Sequence, residues 1–516
     1  METSGHTASC KRSFEKIISL LLFVHAYGPC IFSDIWQTNM SENVEIKLAP
    51  LFSLTHLGRF SKVKVVSILM VLTLMFLIMA SYNLVGDKKR SLFTITPDQT
   101  RHGVNLSSRA AAEVSSKKNS IDMKQMVKII SSKLEYTPRK VPDEKDVIEM
   151  ESHLFSVVPR QFLPGIKSPC WYEEISSERS TDLHRRNRFS LPSSDLQHKD
   201  GKQFRLRCLP YFYIIGQPKC GTTDLYYRLR RHPEVRYSTV KEPHWWTRKR
   251  FGYVHVKDGF TGIVPVKDYL GLFNLAAQHI QEEMRRNSSG DHHITQFVTV
   301  EASASTMWDN QAWSYVHRHR KETEPGFLTQ DFIHTLQPGA KLIVILRDPV
   351  ERLYSDYLYF RTDKKSAGDF HQKATKSVQL FQSCLSERSL RSCVYNRSLL
   401  DSMPVRLHVG LYVVFLVDWL TVFHRDQILV LRLEDYSADL RATLQKAFDF
   451  LGLSPLSVKL EEEVMKKQVS NSRRIKDRDL GPMLPATKDL LREFHQPFNR
   501  KLASLLDNNA FLWSYP

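Results

Sequence analysis

The chain has 516 residues, 42% apolar, 11% aromatic and 25% charged, with only 20 Gly and 23 Pro. This composition excludes a collagen-like, low-complexity or wholly disordered protein, and seven cysteines are too few for a disulfide-built scaffold. Lys and Arg number 73 against 55 Asp and Glu, and the net +18 points to a polyanionic partner: nucleic acid, acidic lipid or acidic polysaccharide.

Near the N-terminus, Ile17–Val24 has the length of a signal-peptide core but is too short to span a bilayer. Val65 to Val85 is different: 21 residues without a charge, enough for a transmembrane helix. Its flanks do not orient it, because Arg59, Lys62 and Lys64 balance Lys88, Lys89 and Arg90. Other features favour a luminal C-terminal part. Sequons follow the span at Asn105, Asn287 and Asn396, against one before it at Asn39. Cys384 and Cys393 are close enough to close a short loop in an oxidising lumen. Residues 1–90 hold ten Lys and Arg against six Asp and Glu, so +14 lies beyond them. The expected organisation is a cytosolic tail at 1–64, a signal anchor at 65–85, a stem at 86–130, an extension at 131–204 and a main domain at 205–516.

The stem is rich in Ser, Thr, Lys and Asn. Met123 to Phe162 contains amphipathic fragments expected to form helices packed on the main domain, and 171–205 is polar and reads as a loop or insertion. Strand–helix alternation follows. Tyr211–Ile215 is an apolar strand before a Gly-containing turn and a helix over Thr223–Arg231. Phe297–Val300 and Lys341–Leu346 are further strands, the latter leading into a helix over Val350–Phe360. Val405–Phe423 reads as a long helix, Ile428–Leu431 as a strand and Ala438–Leu451 as a helix. Near-continuous apolar strands between helices predict an α/β domain with a parallel sheet covered on both faces. Ligands bind such sheets beyond the carboxyl ends of the strands.

Three motifs stand there. The first is Gly216-Gln217-Pro218-Lys219-Cys220-Gly221-Thr222-Thr223, a strand–turn–helix whose amides and helix dipole suit a phosphate. A nucleotide-hydrolase loop would place Lys after the second Gly; here Thr222 stands there and the lysine lies inside the loop at 219, in reach of a bridging oxygen. The second is Lys241-Glu242-Pro243-His244-Trp245-Trp246. Glu242 is a candidate general base and His244 a candidate aid to proton transfer, while the indoles are either sugar platforms or core side chains. Arg248, Lys249 and Arg250 follow, placed either to meet substrate anions or as a solvated charge run. Glu301 and Ser303, after the Phe297–Val300 strand, are further candidates to face an acceptor. The third motif runs from Arg347 through Asp348-Pro349 to Ser355. Arg347 suits bidentate phosphate binding and Ser355 lies two turns into the helix; the alternative is an ordinary helix-start salt bridge.

In this order the three motifs resemble the membrane-bound carbohydrate sulfotransferases, over about Lys133 to the C-terminus. The resemblance implies a P-loop-like sulfotransferase fold with a central parallel sheet flanked by helices, preceded by one transmembrane helix and a stem. It implies the donor 3′-phosphoadenosine 5′-phosphosulfate, with no metal required. Gln217 to Thr223 would then bind the 5′-phosphosulfate, Lys219 would contact the sulfate bridge, Arg347 and Ser355 would hold the 3′-phosphate, and Arg473 would lie in a late basic loop over the nucleotide. Glu242 would be the base, with Lys241, Trp245, Trp246, Arg248, Glu301 and Ser303 toward the acceptor. Cys220 departs from relatives that carry Ser, Thr or Ala there. The expected acceptor is a sulfated glycosaminoglycan, at O6 of N-acetylgalactosamine 4-sulfate in chondroitin or dermatan sulfate; the alternatives are heparan sulfate, or a polysaccharide-binding membrane protein without activity. The expected setting is the Golgi membrane, single-pass type II, with the catalytic domain luminal and no nucleic-acid partner; a homo-oligomer is left open. Cys384–Cys393 is expected as a disulfide, and Cys170–Cys208 is a second pairing left open. No spacing of Cys and His suggests zinc. A nucleotide kinase is the rival enzyme, disfavoured by the missing Gly-Lys-Ser/Thr.

Overall fold

A computed structural model describes residues 122–514 except 137, 176–196, 253–262, 288–294, 313–322 and 363. The tail, the span at 65–85, most of the stem and the sequons at Asn39 and Asn105 lie outside the described residues, as does the side chain of Asn287. Among the described residues no helix is long and apolar enough to cross a membrane.

Five strands form a parallel sheet: β4 (Phe212–Gly216), β5 (Val235–Tyr237), β6 (Val298–Ala302), β7 (Lys341–Leu346) and β8 (Ile428–Arg432), in the order β5-β6-β4-β7-β8. Phe212 pairs with Val300 on one side and Lys341 on the other, so β4 is central. The chain works outward from β4 to β5, returns through β6, then crosses to β7 on the other side. The reversal opens a crevice beyond the carboxyl ends of β4 and β7.

The apolar runs are continuous because both faces are covered. Tyr213, Ile215, Leu342, Val344 and Leu346 point into one core layer, and Phe212, Ile214, Ile343 and Ile345 into the other, the period-2 alternation of a strand. Eight principal helices serve the layers: α1 (Met123–Leu134), α2 (Thr222–Leu229), α3 (Asn274–Asn287), α4 (Pro349–Phe360), α5 (Ala367–Glu387), α6 (Tyr412–Leu420), α7 (Leu440–Leu451) and α8 (Pro485–Leu506). Leu225 and Leu229 of α2 and Leu444 and Ala447 of α7 cover one face; α1, α4, α5, α6 and α8 cover the other. Each fully buried Leu, Ile or Phe among them contributes about 1.5–3 kcal/mol.

The amphipathic fragments are helical as expected, as α1 and the short helices Glu144–Met150 and Ser152–Val157. Met126 and Ile130 of α1 are fully buried, so packed structure begins inside the interval read as stem. Residues 171–205 are not simply a loop. Strands β1 (Cys170–Ile175), β2 (Gln197–Lys199) and β3 (Lys202–Cys208) form an antiparallel sheet in the order β1-β3-β2, its alternating polar residues having hidden the strands. Cys170 and Cys208 face each other in this register and are disulfide-bonded, as are Cys384 and Cys393. The segment 405–423 is not one helix. A 3-10 turn, Leu407–Gly410, precedes α6, and a Cβ at Gly410 would stand 3.0 Å from His495 Cε1 and 3.1 Å from Pro349 Cβ. Burial of Leu407, Val409 and Leu411 on every side had imitated helical periodicity. Likewise 438–451 divides into the end of a helix Leu433–Ala438 and α7, which Asp439 caps by accepting from the Ala442 amide. The three-residue edge strand β5 carried too short a signal to anticipate.

Candidate active site

The phosphate loop leaves β4 at Gly216, where the Gln217 amide donates to the Ile345 carbonyl and ties the loop to β7. Gly221 has φ +90°, and a Cβ there would lie 2.8 Å from Leu433 Cδ1, so only glycine fits. Gly221 offers no side-chain cap to α2, leaving the first amides of the helix free for an anion. The side chains of Gln217 and Cys220 point inward: Gln217 Nε2 donates to Met307 Sδ, and the fully buried Cys220 thiol lies 3.9 Å from the Tyr412 hydroxyl. Burial pushes that thiol up to about 12, so it is no thiolate, and both residues can serve a ligand only through their backbone. Thr222 is buried and Thr223 half-buried.

Lys219 Nζ sits 3.5 Å from the centroid of the Tyr359 ring. Burial lowers its pKa to about 8; Asp356 opposes the shift, and Arg347, Arg474 and Arg406 reinforce it. Several cations therefore crowd one cleft, which suits a ligand with two separated anionic groups.

Arg347 ends β7, and its carbonyl accepts from the Tyr412 hydroxyl. Asp348 and Pro349 do start a helix, with Asp348 capping the Val350 amide, but the Arg347 guanidinium makes only a loose 3.8 Å contact with Glu351. Ser355 and Tyr359 are one turn apart on the same face of α4, so the Ser355 face is the one that meets Lys219. Arg473 stacks 5.5 Å from the Tyr354 ring, and Arg474 donates to the Leu358 carbonyl, which brings the late basic segment onto α4. Arg406 belongs to this cluster but was assigned no role from sequence. It donates to Asp356 through Nε at 3.1 Å and a terminal nitrogen at 2.7 Å. Asp356 is also held by the fully buried Arg352.

The opposite wall follows β5 and β6. Glu242 has φ +60° and His244 φ +51°; with Lys219 at φ +67°, three of the seven described non-glycine residues in this region of backbone space lie at the cleft. Such conformations persist where the surroundings hold them and cluster at functional sites. The Glu242 amide donates to the Ala302 carbonyl, its Oε2 accepts from the Ala304 amide at 2.8 Å, and its Oε1 pairs with Lys241. His244 Nε2 stands 3.6 Å from Glu242 Oε2, while Nδ1 meets the Ser305 hydroxyl at 2.7 Å and the backbone amide donates to Ser303 Oγ. Burial lowers the His244 pKa to about 4 against the opposing pull of Glu242, so the imidazole is neutral at pH 7.

Several acceptor-side expectations are corrected by burial. Trp245 is 5% and Trp246 1% exposed; their indole N–H groups donate to the Val264 carbonyl and the Tyr269 hydroxyl, and Trp245 stacks on Tyr269 at 4.5 Å. They are core side chains, not a sugar platform. Glu301 lies within β6 and is wholly buried, accepting from the Ser303 hydroxyl at 2.5 Å, so it supports the wall from behind; burial raises its pKa to about 8. Ser303 is buried too and faces the His244 backbone. Arg250 is enclosed and paired with Glu151, and Arg248 is engaged by Asp309 at 2.7 Å. Away from the cleft, Asn396 caps the helix Arg397–Ser402 through its side-chain oxygen.

Residues 209–501 match the family described as the sulfotransferase domain. Carbohydrate sulfotransferase 15 of Homo sapiens is 48% identical over 488 residues, covering 88% of this chain and 87% of the relative. The same-named protein of Mus musculus is 49% identical over 487 residues, with the same coverage of 88% and 87%. The similarity thus reaches beyond the stretch from Lys133 onward. Among solved structures, a sulfotransferase from Alicyclobacillus acidocaldarius is 21% identical, covers 59% of this chain and 98% of its own, and superposes with a TM-score of 0.37. On the match to the sulfotransferase domain and to these relatives, the chain belongs to the sulfotransferase family.

Proposed function

We propose that the chain transfers the sulfuryl group of 3′-phosphoadenosine 5′-phosphosulfate to a hydroxyl of a sulfated galactosaminoglycan, at O6 of N-acetylgalactosamine 4-sulfate. The observation that carries this reading is the crevice between β4 and β7, where uncapped α2 amides and Lys219 face the Arg347–Ser355 side across one cationic cleft.

The cleft fits such a donor at two anionic ends. The loop amides and Lys219 suit the phosphosulfate, in a turn whose left-handed Gly221 leaves α2 without a side-chain cap. Arg347 and Ser355 suit the 3′-phosphate, with Arg473 arriving over α4. The donor supplies an activated sulfuryl group. In the reaction the acceptor hydroxyl forms a bond to sulfur as the bond from sulfur to the bridging oxygen breaks, and the electron pair leaves with that oxygen. Glu242 takes the hydroxyl proton, held in place by the Ala304 amide and Lys241. The neutral His244 keeps Nε2 toward Glu242 because Ser305 engages Nδ1. Lys219 and the α2 amides stabilise the departing phosphate, so positioning and electrostatics supply most of the rate.

The name borne by the human and mouse relatives supports a carbohydrate acceptor. The +14 beyond residue 90 favours a polyanionic one through steering. The two disulfides and the apolar run at 65–85 support a type II Golgi protein whose sulfotransferase domain is luminal.

The test is transfer of radiolabelled sulfate by the full chain, with Lys219→Ala as control, to chondroitin, 4-sulfated chondroitin, dermatan sulfate and heparan sulfate. Label at O6 of 4-sulfated residues, absent with the control, is the expected result. Label mainly on heparan sulfate would overturn the acceptor, and no label on any polymer would overturn the whole reading.

A further inference from the structure

The donor cleft lies at the carboxyl ends of the strands; a second basic feature lies at the other end of β5. Arg230 and Arg231 follow α2, and His232 and Pro233 turn the chain into the edge strand. Together with Arg236, the C-terminal half of α3 and Phe297, they line an open groove of ≈ 410 Å³. Four guanidinium groups, from Arg230, Arg231, Arg236 and Arg286, meet two carboxylates there, from Glu282 and Glu283.

Two of the guanidinium planes are held by stacking. Arg230 lies 3.9 Å from the Tyr237 ring centroid and donates to its hydroxyl at 3.3 Å; Arg236 lies 3.7 Å from the Phe297 centroid and donates to the Pro233 carbonyl. Arg236 Nε is buried without a hydrogen-bond partner. Stacked arginines keep their N–H edges for oxyanions. The other two are exposed: Arg231 reaches only the Glu463 carbonyl at 3.5 Å, and Arg286 makes loose contacts of 3.9 and 3.5 Å with Glu282 and Glu283. Exposed pairs of this kind are worth little and yield to a stronger anion.

We propose that this groove is an exosite for the sulfated polysaccharide acceptor, gripping a stretch of chain remote from the sugar being modified. The proposal rests on the acceptor reading above. The four guanidinium groups come from three separate elements, the turn after α2, β5 and α3, which suits repeated sulfates and carboxylates more than one compact anion. Arginines already cover the Tyr237 and Phe297 rings, so the faces that single-stranded nucleic acid would stack on are taken. The eight residues of α2, about 12 Å of helix, separate the phosphate loop from Arg230. A long chain can occupy both places, and a disaccharide, shorter than this separation, only the cleft.

The test is the full chain carrying Arg231→Glu and Arg286→Glu, both exposed positions outside the catalytic machinery, assayed on long 4-sulfated chondroitin and on a 4-sulfated disaccharide. We expect KM for the polymer to rise about three- to tenfold with kcat unchanged, and the disaccharide kinetics to stay within about twofold. An unchanged polymer KM, or equal losses on both acceptors, overturns the exosite. If the unsubstituted chain sulfates neither acceptor, the acceptor reading itself fails. Salt elution of the full chain from immobilised 4-sulfated chondroitin then decides the groove: earlier elution of the double variant upholds it, and identical elution overturns it.

Discussion

The two walls of the cleft are built in contrasting ways. The donor wall consists of long cationic side chains, Lys219, Arg347, Arg406 and Arg473, set around α4 and the phosphate loop; burial lowers the Lys219 pKa, and the guanidinium groups of Arg347, Arg474 and Arg406 lower it further. The acceptor wall consists of short groups, Ser303, Ser305, the Ala304 amide and the Ala302 carbonyl, that hold Glu242 and His244 in left-handed conformations. Burial comes first there too: His244 is kept neutral and Glu301 is pushed up behind it. A polyanion can be held by concentrating like charges that it neutralises on arrival. A proton acceptor needs a fixed direction, and fixed direction comes from satisfied hydrogen bonds on buried groups.

The largest expected effect is on the donor wall. Lys219→Ala should cut transfer by about 10³–10⁵-fold, the scale of losing a cation from a loose group-transfer transition state, and weaken donor binding in the same variant. Glu242→Gln should cost about 10²–10⁴-fold in kcat with donor affinity retained, since the amide keeps the size of the side chain and one accepting oxygen for the Ala304 amide but loses the Lys241 ion pair and takes no proton. Equal loss of donor affinity in both variants would erase the distinction between the walls.

The pH profile sharpens it further. Lys219 in the donor-free enzyme loses its proton at about 8, so kcat/KM should fall as pH rises through that value. Bound donor adds negative charge and raises the lysine pKa, so the limb in kcat should lie at higher pH. Arg406→Gln removes one of the repelling charges and frees Asp356, and should move the kcat/KM limb upward.

The smallest effect belongs to Glu301. Its folded pKa of about 8 lies above the ordinary 4.5, so its contribution to stability is complete below 4.5 and is lost as pH rises through 8. Glu301→Gln should raise Tm by about 2 °C at pH 8, with no gain at pH 4 and little change in activity. A gain that is independent of pH would mean the carboxyl is not proton-linked to folding.

How much was legible in the sequence follows the same division. The phosphate loop could be read because its parts are contiguous: a strand, a glycine turn and an uncapped helix start within a dozen residues. The acceptor wall could not, because His244 and Glu242 depend on Ser303, Ala304 and Ser305, some sixty positions away, brought alongside only when β6 pairs between β5 and β4. A separation of 50 positions likewise hid Arg406, placed by its pairing with Asp356 on α4. The Trp pair shows the converse, since local composition offers two aromatic surfaces and only packing against Tyr269 decides that both face inward.

Sequence by itself therefore determined the parallel α/β domain and the strand–turn–helix loop, and pointed to Glu242 as a candidate, because strand hydrophobicity, turn glycines and contiguous motifs are local properties of the chain. Tertiary structure alone decided which side chains face the cleft, which are neutral at pH 7 and which arginines are stacked on aromatic rings. Burial and long-range pairing depend on neighbours that no stretch of sequence contains.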